Sequence, residues 1–370
     1  MVLMQDSPPT TPIATVRLPV VGSLAVAAGP GGSSLAERIS APAVGTGATI
    51  LGLGSYVPTR VVTNEEVGTP AGVTAEWIEG KTAIRERRWA GDDQATSDLA
   101  IRAGARAIAD AGIRADQLRL IVVATSTPDQ SQPPTAAYVQ RALGADNAAV
   151  FDLNAVCSGF VFALGVVTQM VAATGGLALV IGADVYSRIL NRQDRRTAIL
   201  FGDGAGAAVV GHSSKCEGHR LIATGMHSFG DLTDIIGVPA GGSRLPIGPD
   251  VSEELRYFGM DGRAVRTFVA ENMPDMILSF LAKNGLSLSD IHHFIPHQAN
   301  GMMLRDLVSA LEMPAVATHL TLEHYGNTGA ASIPITLDAA YAAGRVKKGE
   351  IVLLAGFGGG MSVGMTLLRW

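Results

Sequence analysis

Three short stretches of the chain carry side chains that could do chemistry together: Cys157 in AVCSGF, His297 in PHQAN and Asn327 in YGNTGAAS. A thiol can take an acyl group from a thioester, and an imidazole and a carboxamide can donate hydrogen bonds to an oxygen on which negative charge appears. The set is what is needed to load an acyl group onto the protein and then make it react with a carbanion. Each residue alone has an ordinary explanation, since free cysteines are commonly inert core residues and asparagine is a common turn residue. Here all three sit in turns of glycine or small residues at the end of an apolar run, and together they outweigh those explanations. Cys216, in KCEGHR, lacks such a setting and reads as inert or in a surface loop. His292, His293, His319 and His324 read as structural.

The elements that must position these residues are legible as alternating short β-rich runs and longer helical ones, the pattern of an α/β protein. Cys157 lies between the strand-like VFDL and a helix, SGFVFALGVVTQMVAATGG, that begins near Ser158. Unpaired N–H groups and the macrodipole at a helix start favour an anion by up to about 2 kcal/mol, so a thiolate at neutral pH is expected. His297 ends HHFIP before the helix MMLRDLVSAL, and Gly326 and Gly329 bracket the turn of Asn327. ATILGLGSYVP, LIVVATST and LALVIGADV read as strands, and SDLAIRAGARAIADAGI as a helix ended by Gly112.

The order recurs in the second half, where HHFIPHQAN takes the place of IVVATST and EIVLLAGFGGG that of LALVIGADV. Val122 and Ile295 lie 173 positions apart, and Leu179 and Leu353 lie 174 apart. A constant offset at two distant strands implies a duplicated α/β unit with a seam near residues 212–220. The expected halves are 47–215, carrying the cysteine, and 216–370, carrying the histidine and asparagine, so a joint site forms where they meet. Residues 1–46, rich in Pro, Ser, Thr, Gly and Ala without periodicity, are expected to be a disordered extension. Asp6 and the prolines stand where a signal peptide would need a basic segment.

The chain has 370 residues, 47% of them hydrophobic, a net charge of −5 and two cysteines. That is enough to bury a large core, and it gives no reason to expect nucleic acid or an anionic membrane as partner. Two cysteines make no disulfide framework and no zinc spacing occurs, so a cytoplasmic location is expected. No apolar run reads as a transmembrane helix.

From about Ala48 to Trp370 the chain resembles the β-ketoacyl-ACP synthase III enzymes of the thiolase superfamily. EWIEGKTAIRERR, DRRTAILFGDGAGAAVV, PHQAN, GNTGAAS and GFGGG stand in that family's order and spacing. The resemblance implies a five-layered αβαβα fold of two duplicated halves, a homodimer, and acyl-CoA and malonyl-ACP (or malonyl-CoA) as substrates in fatty acid or polyketide initiation, with acyl carrier protein as partner. It implies no metal and no cofactor beyond acyl-CoA as substrate. Elongating synthases carry a second histidine where Asn327 stands, thiolases a second cysteine near GFGGG, and chalcone-synthase-like enzymes read GFGPG, so the initiating branch is favoured.

By the same resemblance, Cys157 is acylated by acyl-CoA, the backbone N–H groups of Cys157 and Gly359 hold the oxyanion, and His297 and Asn327 stabilise the enolate left when the malonyl group loses CO2. Trp77 matches an indole that stacks on adenine, although a core tryptophan beside Ile78 is the other reading. Lys81 stands where many members have arginine, and Arg195 matches a nucleotide-contacting arginine. Gly262, Arg263, Asn300 and Phe357 are assigned to the CoA and substrate tunnel.

Two departures stand out. The helix after PHQAN carries Met302, Ser309 and Ala310 where, by the resemblance, basic residues dock an acidic carrier protein, leaving Arg305 nearby and Arg266 as a further cation. Gln132 occupies a loop position that reaches the partner's acyl pocket and often carries phenylalanine, which implies a primer longer than acetyl. Two other activities fit the same residues: acyl transfer to an alcohol or amine without condensation, which would not need Asn327, and a Cys-His-Asn hydrolase, whose expected sequence around the nucleophile is absent.

Overall fold

The computed structural model describes residues 46–215, 218–313 and 316–370. The expected extension, except for its last residue, and Cys216 lie outside the described residues. Thr46 belongs to the folded part, where its buried hydroxyl donates to the Leu221 carbonyl at 2.6 Å.

The first half runs β1 (Ala48–Tyr56), β2 (Val61–Thr63), α1 (Asn64–Ala71), α2 (Ala75–Thr82), β3 (Glu86–Arg88), α3 (Thr96–Asp110), β4 (Leu118–Ala124), α4 (Thr135–Leu143), β5 (Ala149–Leu153), α5 (Gly159–Thr174), β6 (Leu177–Asp184) and β7 (Gly204–His212). The second runs β8 (His219–Ser228), β9 (Ile236–Gly237), β10 (Gly259–Met260), α6 (Gly262–Lys283), β11 (His293–Pro296), α7 (Gly301–Ala310), β12 (Ala317–Thr318), α8 (Leu322–Tyr325), α9 (Ser332–Ala342), β13 (Ile351–Gly358) and β14 (Ser362–Arg369).

The spatial order β5-β4-β6-β7-β1 is mirrored by β12-β11-β13-β14-β8, and the two sets meet through a short antiparallel contact of β1 with β8. The parallel pairs match in register too: Val122 faces Val180 across β4 and β6, and Ile295 faces Leu354 across β11 and β13. These are the strands whose offset the sequence displays. Three apolar clusters lie between the layers. One joins α3 and α4 to the outer face of the first sheet, one joins α6 and α7 to the outer face of the second, and the middle one holds α5 and α9 between the sheets. The result is the expected five-layered αβαβα arrangement, with β13 buried along its whole length because both of its faces are covered.

The segment Val156–Thr174 is long and apolar enough to cross a membrane, with a mean hydropathy of 1.9 over its most apolar window. The sequence reading discounted it for its glycines and polar residues. In the fold it packs on β4, β6 and β7 of one sheet and on β8, β13 and β14 of the other, so its apolarity on all sides is that of a central core helix.

Close approach of helix to sheet depends on strand glycines. A Cβ on Gly54 would stand 2.4 Å from the backbone nitrogen of Ala107 in α3, and one on Gly206 would stand 2.7 Å from that of Ile335 in α9. Gly54→Ala is therefore expected to cost about 1–3 kcal/mol through overpacking. Gly80→Ala, on an exposed part of α2 with no neighbour within 4 Å, is expected to gain up to about 1 kcal/mol. Urea unfolding midpoints of the two variants check the contrast.

Candidate active site

The chain enters the Cys157 turn through a strained residue. Val156 has φ 49°, a left-handed conformation that costs a β-branched side chain about 1–3 kcal/mol. The turn is held by the Asn154 side-chain oxygen, which accepts from the Val156 N–H at 3.0 Å, and by Ser158, whose hydroxyl meets the Ala155 carbonyl at 2.9 Å and the Ser362 hydroxyl at 2.5 Å. The end of β13 lies against it: a Cβ on Gly358 would stand 2.7 Å from the Cys157 nitrogen, and one on Gly359 would touch Val156 at 3.3 Å. The glycine-rich ending GFGGG is thus a steric requirement of the cysteine turn.

The thiol does not have the charge state the sequence suggested. Burial, and then the nearby Asp184 carboxylate, push Cys157 up to about 12, against smaller opposing effects of a Tyr186 hydrogen bond and a backbone N–H. Cys157 occupies a single tight turn before α5, which begins at Gly159. Desolvation outweighs the helix-end effect there, so the substrate-free protein holds a neutral thiol at pH 7.

His297 ends β11 with its backbone N–H on the Ala355 carbonyl at 2.8 Å. Its Nδ1 lies 2.8 Å from the Ser332 hydroxyl, which also accepts from the Gln298 N–H at 3.4 Å. The Gln298 N–H occupies one lone pair of that hydroxyl, whose proton can then be donated to Nδ1; in that tautomer the ring proton sits on Nε2 as a donor. Burial lowers His297 to about 3, so the ring is neutral. Phe357 of β13 stands edge to face with it at 5.3 Å.

Asn327 is clamped by its backbone, donating to the Leu200 carbonyl at 2.8 Å and accepting from the Gly202 N–H at 3.0 Å. Its side-chain oxygen accepts from the Gly329 N–H at 3.0 Å, which assigns the two ends of the amide and leaves the NH2 as the available donor. The Cys157 turn packs against both the 329–331 turn and β13, and Gly159 faces the Ala330 methyl at 3.5 Å from its ideal Cβ. All three side chains are buried, and β13, which pairs with β11 just before His297, packs on the Cys157 turn at the boundary of the halves.

Other polar groups here went unread in the sequence. Asp184, fully buried at the end of β6, accepts from the Ser126 and Ala330 N–H groups, both at 2.8 Å, and from the hydroxyls of Thr125, Ser126 and Thr127. Tyr186 places its hydroxyl 2.9 Å from Ser126 and stacks on Phe201 at 4.5 Å. A charged residue ending an apolar strand, as in LALVIGADV, was the available signal for Asp184. Ser332 lay within the GNTGAAS motif itself.

The residues assigned to CoA are spread over the surface. Trp77 is 38% exposed on α2 and is not a core tryptophan, and Lys81 is exposed on the same helix. Asn300 caps α7 through its side-chain oxygen, which accepts from Met302 and Met303, and its NH2 donates to the Lys81 carbonyl at 3.2 Å. Trp77, Lys81 and Asn300 therefore share one rim, where Asn300 fastens α7 to α2. Gly262 and Arg263 are exposed at the start of α6, which Asp261 caps, and Arg195 and Gln132 are exposed in loops.

Comparison with known proteins accords with this geometry. Residues 151–230 match the family model for 3-oxoacyl-[acyl-carrier-protein (ACP)] synthase III, and residues 281–370 match that for its C-terminal part. An acetoacetyl CoA synthase, NphT7, from Streptomyces sp. strain CL190 is 58% identical over 87% of this chain and 98% of its own. The β-ketoacyl-[acyl-carrier-protein] synthase III of Clostridioides difficile strain 630 is 43% identical over 88% and 99%. The crystal structure of the synthase III from Aquifex aeolicus superposes with a TM-score of 0.80 at 34% identity, covering 88% of this chain and 100% of that one. With the fold, the motifs and the full-length relatives in agreement, the chain belongs to the 3-oxoacyl-ACP synthase III family of condensing enzymes.

Proposed function

We propose that this chain loads an acyl group from acyl-CoA onto Cys157 and condenses it with a malonyl thioester, releasing CO2 and a β-ketoacyl thioester. The reading is carried by one observation: the Cys157 turn packs on the turn after Asn327, whose NH2 is available to donate, and on β13, whose Phe357 stands edge to face with the buried His297 ring. In the loading step the sulfur attacks the thioester carbonyl, CoA leaves as a thiol with the Cys157 proton, and the backbone N–H groups of Cys157 and Gly359 hold the oxyanion. In the second step the malonyl thioester loses CO2 and its enolate oxygen accepts hydrogen bonds from His297 and Asn327. Those donors act only as charge appears, which lowers the barrier rather than tightening substrate binding. The enolate carbon then attacks the acyl-Cys carbonyl and expels the sulfur as a thiolate, which takes a proton from solvent to restore the thiol. Acyl transfer to an alcohol or amine would leave the oriented Asn327 donor without work.

We assign malonyl-CoA as the extender in preference to malonyl-ACP. The relative named acetoacetyl CoA synthase supports this, and so does the charge on α7. Arg305 lies over Met302 and the Gly301 carbonyl, and Arg266 is paired with Asp306 at 2.7 Å, so that face offers little net positive charge to an acidic carrier protein. That relative's name also favours an acetyl primer over the longer one that Gln132 suggested. Adenine stacking on Trp77, with Lys81 and Arg195 toward the nucleotide phosphates, is the proposed CoA path, with Gly262, Arg263, Asn300 and Phe357 along the tunnel. We further propose a cytoplasmic homodimer in which Gln132 reaches the partner's acyl pocket, needing no metal or other cofactor.

Asn327→Ala is expected to load acetyl on Cys157 normally, read as added mass, while condensation falls about 100- to 1,000-fold. Loss of both steps together would contradict the assigned role. With acetyl-CoA as primer, product formation from malonyl-CoA should exceed that from malonyl-ACP, and acetyl should outpace isobutyryl and medium-chain primers in the same assay; a clear preference for the carrier protein or for longer primers would reverse these assignments. Because the thiol's pKa is raised, the protonated form dominates from pH 7 to 10. In a Cys216→Ser background, alkylation of Cys157 by iodoacetamide should be slow at pH 7 and rise about tenfold per pH unit through pH 9. A plateau below pH 8 would show a thiolate instead.

A further inference from the structure

Arg87, on β3, is fully buried, yet among the described residues no carboxylate pairs with it. Its Nη1 donates to the Asn64 side-chain oxygen at 2.8 Å and its Nη2 to the Ile199 carbonyl at 2.7 Å. Asn64 is itself fixed, because its NH2 donates to the Ile84 carbonyl at 2.8 Å. Burial lowers Arg87 to about 10, with Glu66 and Glu86 supplying the opposing charge that reaches it, so it remains a cation at neutral pH. A buried guanidinium held only by neutral acceptors is costly, and such a group is kept where it holds something in place.

What it holds is the Asn327 turn. The carbonyl it grips, Ile199, precedes Leu200, whose own carbonyl receives the Asn327 N–H at 2.8 Å. Phe201 bridges Asn327 in parallel fashion, and the next residue, Gly202, donates to the Asn327 carbonyl at 3.0 Å. The Arg87 side chain also fills the space beside both glycines of this clamp: its Cβ would lie 3.1 Å from a Cβ on Gly202 and 3.3 Å from one on Gly326, the residue before Asn327. Arg87 therefore touches both strands of the clamp that sets the Asn327 backbone.

We propose that Arg87 is a positioning residue for the condensation step: by pinning Ile199 and wedging between Gly202 and Gly326 it sets the Asn327 amide where the enolate oxygen forms. The inference rests on the role proposed above for Asn327. It separates the two half-reactions, because loading uses Cys157 and backbone N–H groups that Arg87 does not touch, whereas the enolate needs Asn327.

The test is to measure the two steps separately on Arg87→Lys and Arg87→Gln. Acetyl loading is read as mass on Cys157, and the second step as CO2 release from malonyl-CoA in a single turnover of pre-acetylated enzyme. Expected are loading rates within about twofold of the parent, CO2 release down about 100-fold in Arg87→Gln and about tenfold in Arg87→Lys, and a KM for malonyl-CoA that changes far less than kcat, since misplacement of a reacting group by about 1 Å costs a factor of this size. Parallel loss of loading and CO2 release in folded protein would overturn the proposal and leave Arg87 a merely structural residue. Asn64→Ala, which keeps the guanidinium and removes one acceptor, is expected to slow CO2 release alone by about three- to tenfold, and it decides the matter if the Arg87 variants do not fold. An unsubstituted protein that loads acetyl but releases no CO2 from either malonyl-CoA or malonyl-ACP would refute the condensing reading itself, a result distinct from either variant outcome.

Discussion

The buried carboxylate of Asp184 is the interaction on which the site depends. It sits at the end of β6 in one half of a duplicated scaffold and accepts the Ser126 N–H and three hydroxyls of that half, while its other oxygen accepts the Ala330 N–H of the second half. A carboxylate so deeply buried needs its acceptor sites filled, and here the second oxygen is filled by the turn after Asn327, brought against the Ser126 loop. The geometry is tight enough that Gly329 admits no side chain: a Cβ there would stand 2.3 Å from an Asp184 oxygen. One charge thus locks the second half's turn to the first half's strand ends, beside the turn that carries Cys157.

The same burial sets the chemistry. With water excluded, the thiol is driven up and the imidazole down, so the resting site holds few charges other than Asp184 itself. Donors whose orientation is already set then meet charge only when substrate generates it. Preorganised N–H groups in a dry cleft are worth more than the same groups in water because they need no reorganisation as the charge forms. The strained Val156 and the crowding of Gly358 against Cys157 belong to this economy of space, holding the sulfur against the end of β13.

Much of this was readable in advance. The duplicated α/β architecture follows from apolar runs and turns that recur at a constant offset, and the strand order and register carry that repeat faithfully. Cys157, His297 and Asn327 stood out because each is a reactive type in a small-residue turn. The charge on the sulfur was misjudged, since a helix start is a local feature whereas desolvation and the Asp184 field come from residues brought in from elsewhere. Asn300, which the resemblance assigns to the tunnel, also joins α7 to α2 through its amide, a contact to Lys81 that no local pattern displays.

By itself the sequence determined which reactive groups are present, the order of strands and helices, and the family, because these are properties of local pattern along the chain. Only the tertiary structure decided the protonation of Cys157 and His297 and the partners of Asp184 and Arg87. Each of those depends on depth of burial and on contacts between residues up to 146 positions apart, as from Asp184 to Ala330, and no local pattern records them.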